Sequence, residues 1–196
     1  MPGESDGKPR CGWPGDDPLM RRYHDEEWGV PVHDDRRWFE FIVLNAFQAG
    51  LSWRTVLHKR DALRKTFFGF DPQKVAHMSR ARIESAARDP AVIRNRLKIG
   101  AAVRNAGRFI ELQAGHGSFD AFIWSFAGGR VLHNRWRTLD EIPAATPLSD
   151  AVSHALKQAG FAFVGTTICY ATLQAAGVVN DHLIHCFRHR ELRGRA

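Results

Sequence analysis

The chain has 196 residues, 44% apolar and 25% charged, with a formal net charge of +7 and an isoelectric point near 9.8. That balance excludes wholesale disorder and suffices for one buried core, and no apolar run approaches the ~18 residues of a membrane span. A basic surface suits a polyanionic partner, nucleic acid first among them, and charge alone fits the plainer reading of a basic soluble protein equally well.

Residues 1–9 read as a loose leader, and MPGESDGKPR lacks the apolar stretch of a secretory signal. Residues 10–187 read as a single helical domain, and 188–196, RHRELRGRA, as a frayed basic tail. Asp34-Asp35 can cap a helix carrying Trp38, Phe39, Ile42, Val43, Ala46 and Phe47, with Gly50 ending it. Ser52 opens the next, predicted from Trp53 to about Phe67. Asp71-Pro72 and Ser79 open two short helices, and Asp89-Pro90 a longer stretch running past Ile110. Ser118 precedes the apolar set Phe119, Phe122, Ile123 and Phe126, and residues 128–147, with Gly-Gly and two prolines, read as an extended connector. A helix near 149–158, the apolar loop GFAFVGTT and a helix from Thr166 to Ala176 complete the pattern. No period-two alternation is evident, so the expected class is all-α.

Three cysteines, Cys11, Cys169 and Cys186, do not make a disulfide framework and fit a reducing cytoplasm. Cys11 and His24 lie near one end of the chain, and His182 and Cys186 near the other, four apart, so one helical turn can aim both at one ion. Two thiolates and two imidazoles would complete a closed tetrahedral zinc site of the structural kind. Spacing alone leaves unrelated thiols as an alternative, and His185 and His189 compete for the fourth place. Cys169, inside TTICYATL, reads as an inert core thiol.

GFAFVGTTICYATLQAAG reads as a helix–turn–helix whose second helix starts at Gly165, Thr166 and Thr167; backbone N–H groups there suit a DNA phosphate, although such joints are also common connectors. Trp13, Tyr23, Trp28 and Trp53 fall in polar or helix-starting contexts; a flipped base needs such stacking faces, and a core role is the plainer alternative.

At RCGW (10–13), DPL (17–19), YHDEEWGVP (23–31), QAGLSW (48–53), FDPQKVA (70–76), GFAFVGTTICY (160–170), VNDH (179–182) and Cys186, the chain resembles the 3-methyladenine DNA glycosylase I family, within the helix-hairpin-helix glycosylase superfamily. The resemblance implies a structural zinc on Cys11, His24, His182 and Cys186 and a lesion pocket around Trp13, Tyr23 and Trp53. It implies release of N3-methylated adenine from double-stranded DNA with no lyase step, with position 45 and Tyr23 in the catalytic roles; a monomer is the default expectation. The family carries a glutamate three residues before QAGLSW; here that position is Asn45, which keeps hydrogen-bonding atoms without charge. Asn45 is expected to leave a weaker enzyme or one shifted to another alkylated base, with a DNA lesion-binding protein that excises nothing, or a zinc-stabilised regulatory domain, as alternatives. Glu27 or Glu40 could replace the missing carboxylate, and Asp181 is expected to support the ligand His182.

Overall fold

The computed structural model describes residues 7–194, among which eleven α-helices carry the architecture. The first, α1 (Pro18–Glu26), has no counterpart among the predicted elements. Its signal is local: Asp17 accepts from the N–H groups of Leu19 and Met20, and Pro18 occupies the first turn, where its missing N–H costs nothing. The centre of the molecule is α2 (Asp35–Gln48), capped by Asp34, with Trp38 through Phe47 buried without a break. A helix apolar on every face must be enclosed by its neighbours, and α2 packs against α3, α7, α8 and α10.

The predicted 53–67 helix is two, α3 (Trp53–His58, capped by Ser52) and α4 (Arg60–Thr66). The break falls at Lys59, whose N–H closes a tight bond to Val56 and whose Nζ reaches the carbonyls of Pro90 and Ala91. α5 (Pro72–Ala76) and α6 (Arg80–Arg88) start at Asp71 and Ser79 as expected. The long helix does not start at Asp89-Pro90. Residues 89–95 form a turn, and α7 (Arg96–His116) begins where the Asn95 side chain caps the N–H of Lys98. α8 (Phe119–Ser125) follows, capped by Ser118.

The connector is extended as predicted, but it contains β1 (Leu132–His133), which pairs in parallel with β2 (Val179–Asn180). Two residues per strand are too few to show alternation in sequence. α9 (Pro147–Gln158) and α10 (Thr166–Ala175) form the expected hairpin. The expected frayed tail is instead α11 (Phe187–Arg193), with Arg188, His189 and Leu192 buried; residues 1–6 of the leader and 195–196 of the tail lie outside the described residues. Among the described residues no helix is long and apolar enough to cross a membrane.

One buried cation fixes the C-terminal end of α2. Lys98 of α7 donates from Nζ to the carbonyls of Phe47 and Ala49, which have no partner inside α2. Burial lowers the Lys98 pKa, yet the negative end of α2 favours the charged form. Lys98→Met should therefore cost about 2 kcal/mol by stranding those acceptors. Thermal melting checks this, and an unchanged midpoint would show that water replaces the amine.

Candidate functional site

Cys11, His24, His182 and Cys186 are all buried, and their ligating atoms lie within 4.8 Å of one another. Cys11 precedes α1 and His24 lies in its last turn; His182 and Cys186 are not on a helical turn, as their spacing suggested, but flank a non-helical turn between β2 and α11 whose folding back brings them together. Cys11 Sγ is 3.6 Å from His182 Nδ1, and Cys186 Sγ is 3.6 Å from His24 Nε2 and 3.5 Å from His182 Nδ1. A tetrahedral ion with bonds of about 2.0–2.3 Å separates its donors by about 3.3–3.8 Å, so the spacing fits one small cation.

The outer ring atoms fit as well. His24 holds its other nitrogen 2.7 Å from Asp25, itself bound by Arg10, and His182 Nε2 lies 3.0 Å from the Trp28 carbonyl. Those partners aim His24 Nε2 and His182 Nδ1 inward. Burial lowers the His182 pKa and so favours the neutral, ligating ring. Cys11 hydrogen-bonds to Cys186, which raises the first thiol and holds the second far below its ordinary value, and the Leu183 N–H donates to Cys11 Sγ. A buried thiolate needs a cation beside it. The set can hold a metal.

His185 is exposed, and His189 points its Nε2 at the Asn134 carbonyl, so neither competes. Cys169 is 3% exposed and burial pushes its thiol up to about 12, an inert core group as expected.

Beside this cluster lies a cavity of about 370 Å³, lined by Trp13, Tyr23, Trp28, Asn45, Gln48, Trp53 and Gln174 and roofed by Leu139 and Ile142 of the connector. That volume falls in the range of about 300–1,000 Å³ for small-molecule sites. Trp28 joins the two: its ring centroid is 4.6 Å from His182 and 5.2 Å from Trp13. Tyr23 sits between Trp13 at 6.3 Å and Trp53 at 5.0 Å. All four aromatics singled out in the sequence meet here. Burial raises the Tyr23 pKa, so the phenol stays neutral and can donate. The indole Nε1 atoms of Trp13 and Trp53 are buried and have no hydrogen-bond partner among the described residues, a cost these two walls of the cavity carry.

Asn45, in α2, is 2% exposed and lines the cavity, while its Nδ2 donates to the Phe41 carbonyl one turn earlier. Neither nominated carboxylate reaches the cavity. Glu40 is bound by Arg37, Arg60 and Arg64, and Glu27 by Arg37 and Arg60. Burial alone would raise Glu27, but the Arg60 and Arg37 bonds hold it at about 2. Asp181 also departs from expectation, because His182 is oriented by the Trp28 carbonyl and Asp181 binds four other donors.

In the hairpin, Gly165 is the N-cap of α10 and makes no side-chain cap, so the first N–H groups of that helix stay available. Thr166 shares a hydrogen bond with Ser149, and Thr167 is exposed. The turn is clamped from both sides: Asn105 makes two bonds to the backbone of Ala162, and Ser153 donates to the Val164 carbonyl. Phe163 between them takes φ +56° and is 36% exposed. The sequence reading missed Leu139, Ile142 and Gln174, which belong to the cavity through tertiary packing.

Residues 13–189 match the family model described as methyladenine glycosylase. The chain is 49% identical over 177 residues to DNA-3-methyladenine glycosylase 1 of Escherichia coli (strain K12), covering 90% of this chain and 95% of that one. It is 42% identical to a DNA-3-methyladenine glycosylase of Haemophilus influenzae, covering 90% and 96%. Among solved structures, a crystal structure of 3-methyladenine DNA glycosylase I superposes with a TM-score of 0.89 at 47% identity, covering 91% of this chain and 98% of that one. The Staphylococcus aureus enzyme, described in a study of 3-methyladenine recognition, does so with a TM-score of 0.88 at 32% identity, covering 91% and 95%.

Metal removal should unfold or strongly destabilise the domain, because a closed site couples binding to folding. A chelator series followed by circular dichroism, with metal analysis of the purified protein, tests this; unchanged melting and no bound metal would exclude the staple. Glu27 contributes stability that is full above its ordinary value of 4.5 and is lost as pH falls toward about 2. Glu27→Gln should lower the melting temperature at pH 7 and flatten its decline between pH 5 and 3 relative to wild type. Parallel declines would show that Arg37 and Arg60 gain nothing from it.

Proposed function

We propose, since the chain belongs to the methyladenine glycosylase family, that it hydrolyses the N-glycosidic bond of 3-methyladenine in double-stranded DNA as the first step of base-excision repair. The observation that carries this reading is the cavity in which the rings of Trp13, Tyr23, Trp28 and Trp53 meet the amides of Asn45 and Gln174. Methylation at N3 leaves the base cationic and its bond to the sugar labile, so the protein has mainly to bind the charged ring and admit water. The faces of Trp13, Tyr23 and Trp53 favour an electron-poor ring over neutral adenine through their quadrupoles. No lysine lines the cavity, so no amine is poised for a lyase step.

The metal that best suits two thiolates and two imidazoles in a closed tetrahedron is zinc, in a structural role. Held by Cys11, His24, His182 and Cys186, it would tie the segment carrying Trp13, Tyr23 and Trp28 to the one that follows α10. Gly165, Thr166 and Thr167 present the start of α10 to a DNA phosphate. We read the working unit as a monomer in the cytoplasm.

Asn45 stands where the resemblance places a glutamate. A carboxylate there would attract the cationic base, whereas the amide supplies a dipole, and its nitrogen is already committed to Phe41. This reading makes the chain a slower enzyme of the same kind, and the committed amide favours, as the second reading, a lesion binder that does not excise. Incubation with methylated duplex, with chromatography of the freed bases and a gel shift alongside, separates them: DNA affinity without base release supports the second. Asn45→Glu cannot keep the bond to the Phe41 carbonyl and should raise 3-methyladenine release by about tenfold to a hundredfold. Equal or slower release would mean that the cavity serves different chemistry.

A further inference from the structure

Asp181 is 1% exposed, and no cation pairs with its carboxylate. Instead four neutral donors bind it. Asn134 Nδ2 at 2.6 Å and Trp136 Nε1 at 2.8 Å reach Oδ1 from the connector. Tyr170 OH at 2.5 Å and Gln174 Nε2 at 2.8 Å reach Oδ2 from α10. Such a clamp consumes every strong acceptor position of the group, and its geometry is set by both elements at once.

The clamp has a consequence in the cavity. A carboxylate only accepts, so the Gln174 amide must meet it nitrogen-first. Gln174 also lines the cavity, and its Oε1 accepts no bond from a described residue. The amide oxygen is therefore what this side chain offers to a ligand. Asn45 is oriented by the same logic, since its Nδ2 meets a carbonyl and leaves Oδ1. Asn45 and Gln174 thus each leave an amide oxygen as acceptor on the wall of the cavity.

We propose that Gln174, locked by Asp181, is a specificity-determining residue for the excised base: its Oε1 accepts from an exocyclic amino group and disfavours an oxo group at the same place. The proposal rests on the glycosylase reading above. An amino group conjugated to a cationic ring is a strengthened donor, and an oxo group there would set two acceptors face to face, an element that works against the wrong base. Asp181 is the positioning residue, acting on the base only through Gln174.

The experiment measures two lesions side by side. Duplex DNA carrying both 3-methyladenine and 3-methylguanine is digested by wild type, Gln174→Met and Asp181→Asn, and free 3-methyladenine and 3-methylguanine are titrated against tryptophan fluorescence. Wild type should prefer the 6-amino base in both assays. Gln174→Met, which keeps the volume and removes the acceptor, should narrow that preference about tenfold, the equivalent of one net hydrogen bond. Asp181→Asn lets the Gln174 amide turn over and should narrow it in the same direction. Melting curves and metal content taken alongside separate this from a loss of fold.

An unchanged preference in Gln174→Met overturns the proposal, as does a wild type that treats the two bases alike, a result that needs no variant to fold. A preference unmoved in Asp181→Asn removes the positioning role. The fluorescence titration keeps the two readings apart: a wild type that frees no base yet binds the 6-amino base selectively defeats the excision reading and supports this one.

Discussion

Four soft donors brought within 4.8 Å of one another from the two ends of the chain are the constraint on which the rest of the structure depends. Buried imidazoles and thiols are poor company for one another without a cation, since two sulfurs in apolar surroundings cannot both ionise cheaply. Their convergence forces the segment before α1, the end of α1 and the stretch after β2 into one neighbourhood. The cost of ordering three such segments is large for short elements with few apolar residues of their own. A metal held by the four donors would offset it with a few strong bonds where a hydrophobic core would need much more area.

The cavity inherits its shape from that constraint. Trp28 is the hinge of the arrangement, because its carbonyl accepts from one ligand histidine while its ring packs on that histidine and on Trp13. Trp13 follows Cys11 by two residues, and Tyr23 precedes His24 directly, so fixing the donors also fixes two walls of the slot. The other walls come from α2 and α10, which pack together through the core. The polar residues lining the slot include the amides of Asn45 and Gln174, each tied by its nitrogen to the protein, and the Tyr23 phenol. A site of this kind favours a flat, polar-edged, electron-poor ligand.

Charge is segregated in a way that bears on this chemistry. The acids near the slot, Glu27 and Glu40, are consumed by Arg37, Arg60 and Arg64, and Asp25 and Asp181 are consumed by the scaffolds of the metal cluster and the cavity. The net positive charge of the chain is thus carried by side chains outside these pairs, where it can act on a polyanion. Among the described residues no carboxylate lines the slot, which leaves the amide at position 45 where the resemblance leads one to expect an acid.

The helical class, most helix starts and the hairpin were legible in the amino-acid sequence, because each depends on neighbours a few residues apart. A capping serine and a Pro in a first turn act through local geometry that spacing encodes, whereas the donor set, drawn from both ends of the chain, came from the resemblance, since spacing left His185 and His189 in competition. The four aromatics were legible as candidates for the same reason, as parts of short motifs. Tertiary structure alone decided which of them share one wall, that α3 and α4 separate at Lys59, that residues 187–193 form a docked helix, and that β1 finds β2 across the fold. It also decided the finer chemistry: Asp181 serves Gln174 and not His182, and Asn45 points its nitrogen at Phe41. The direction in which an amide or a carboxylate faces is set by partners far away in sequence, 47 residues apart for Asn134 and Asp181. Such partners meet only when apolar burial has brought the helices together, and no local pattern of residues records them.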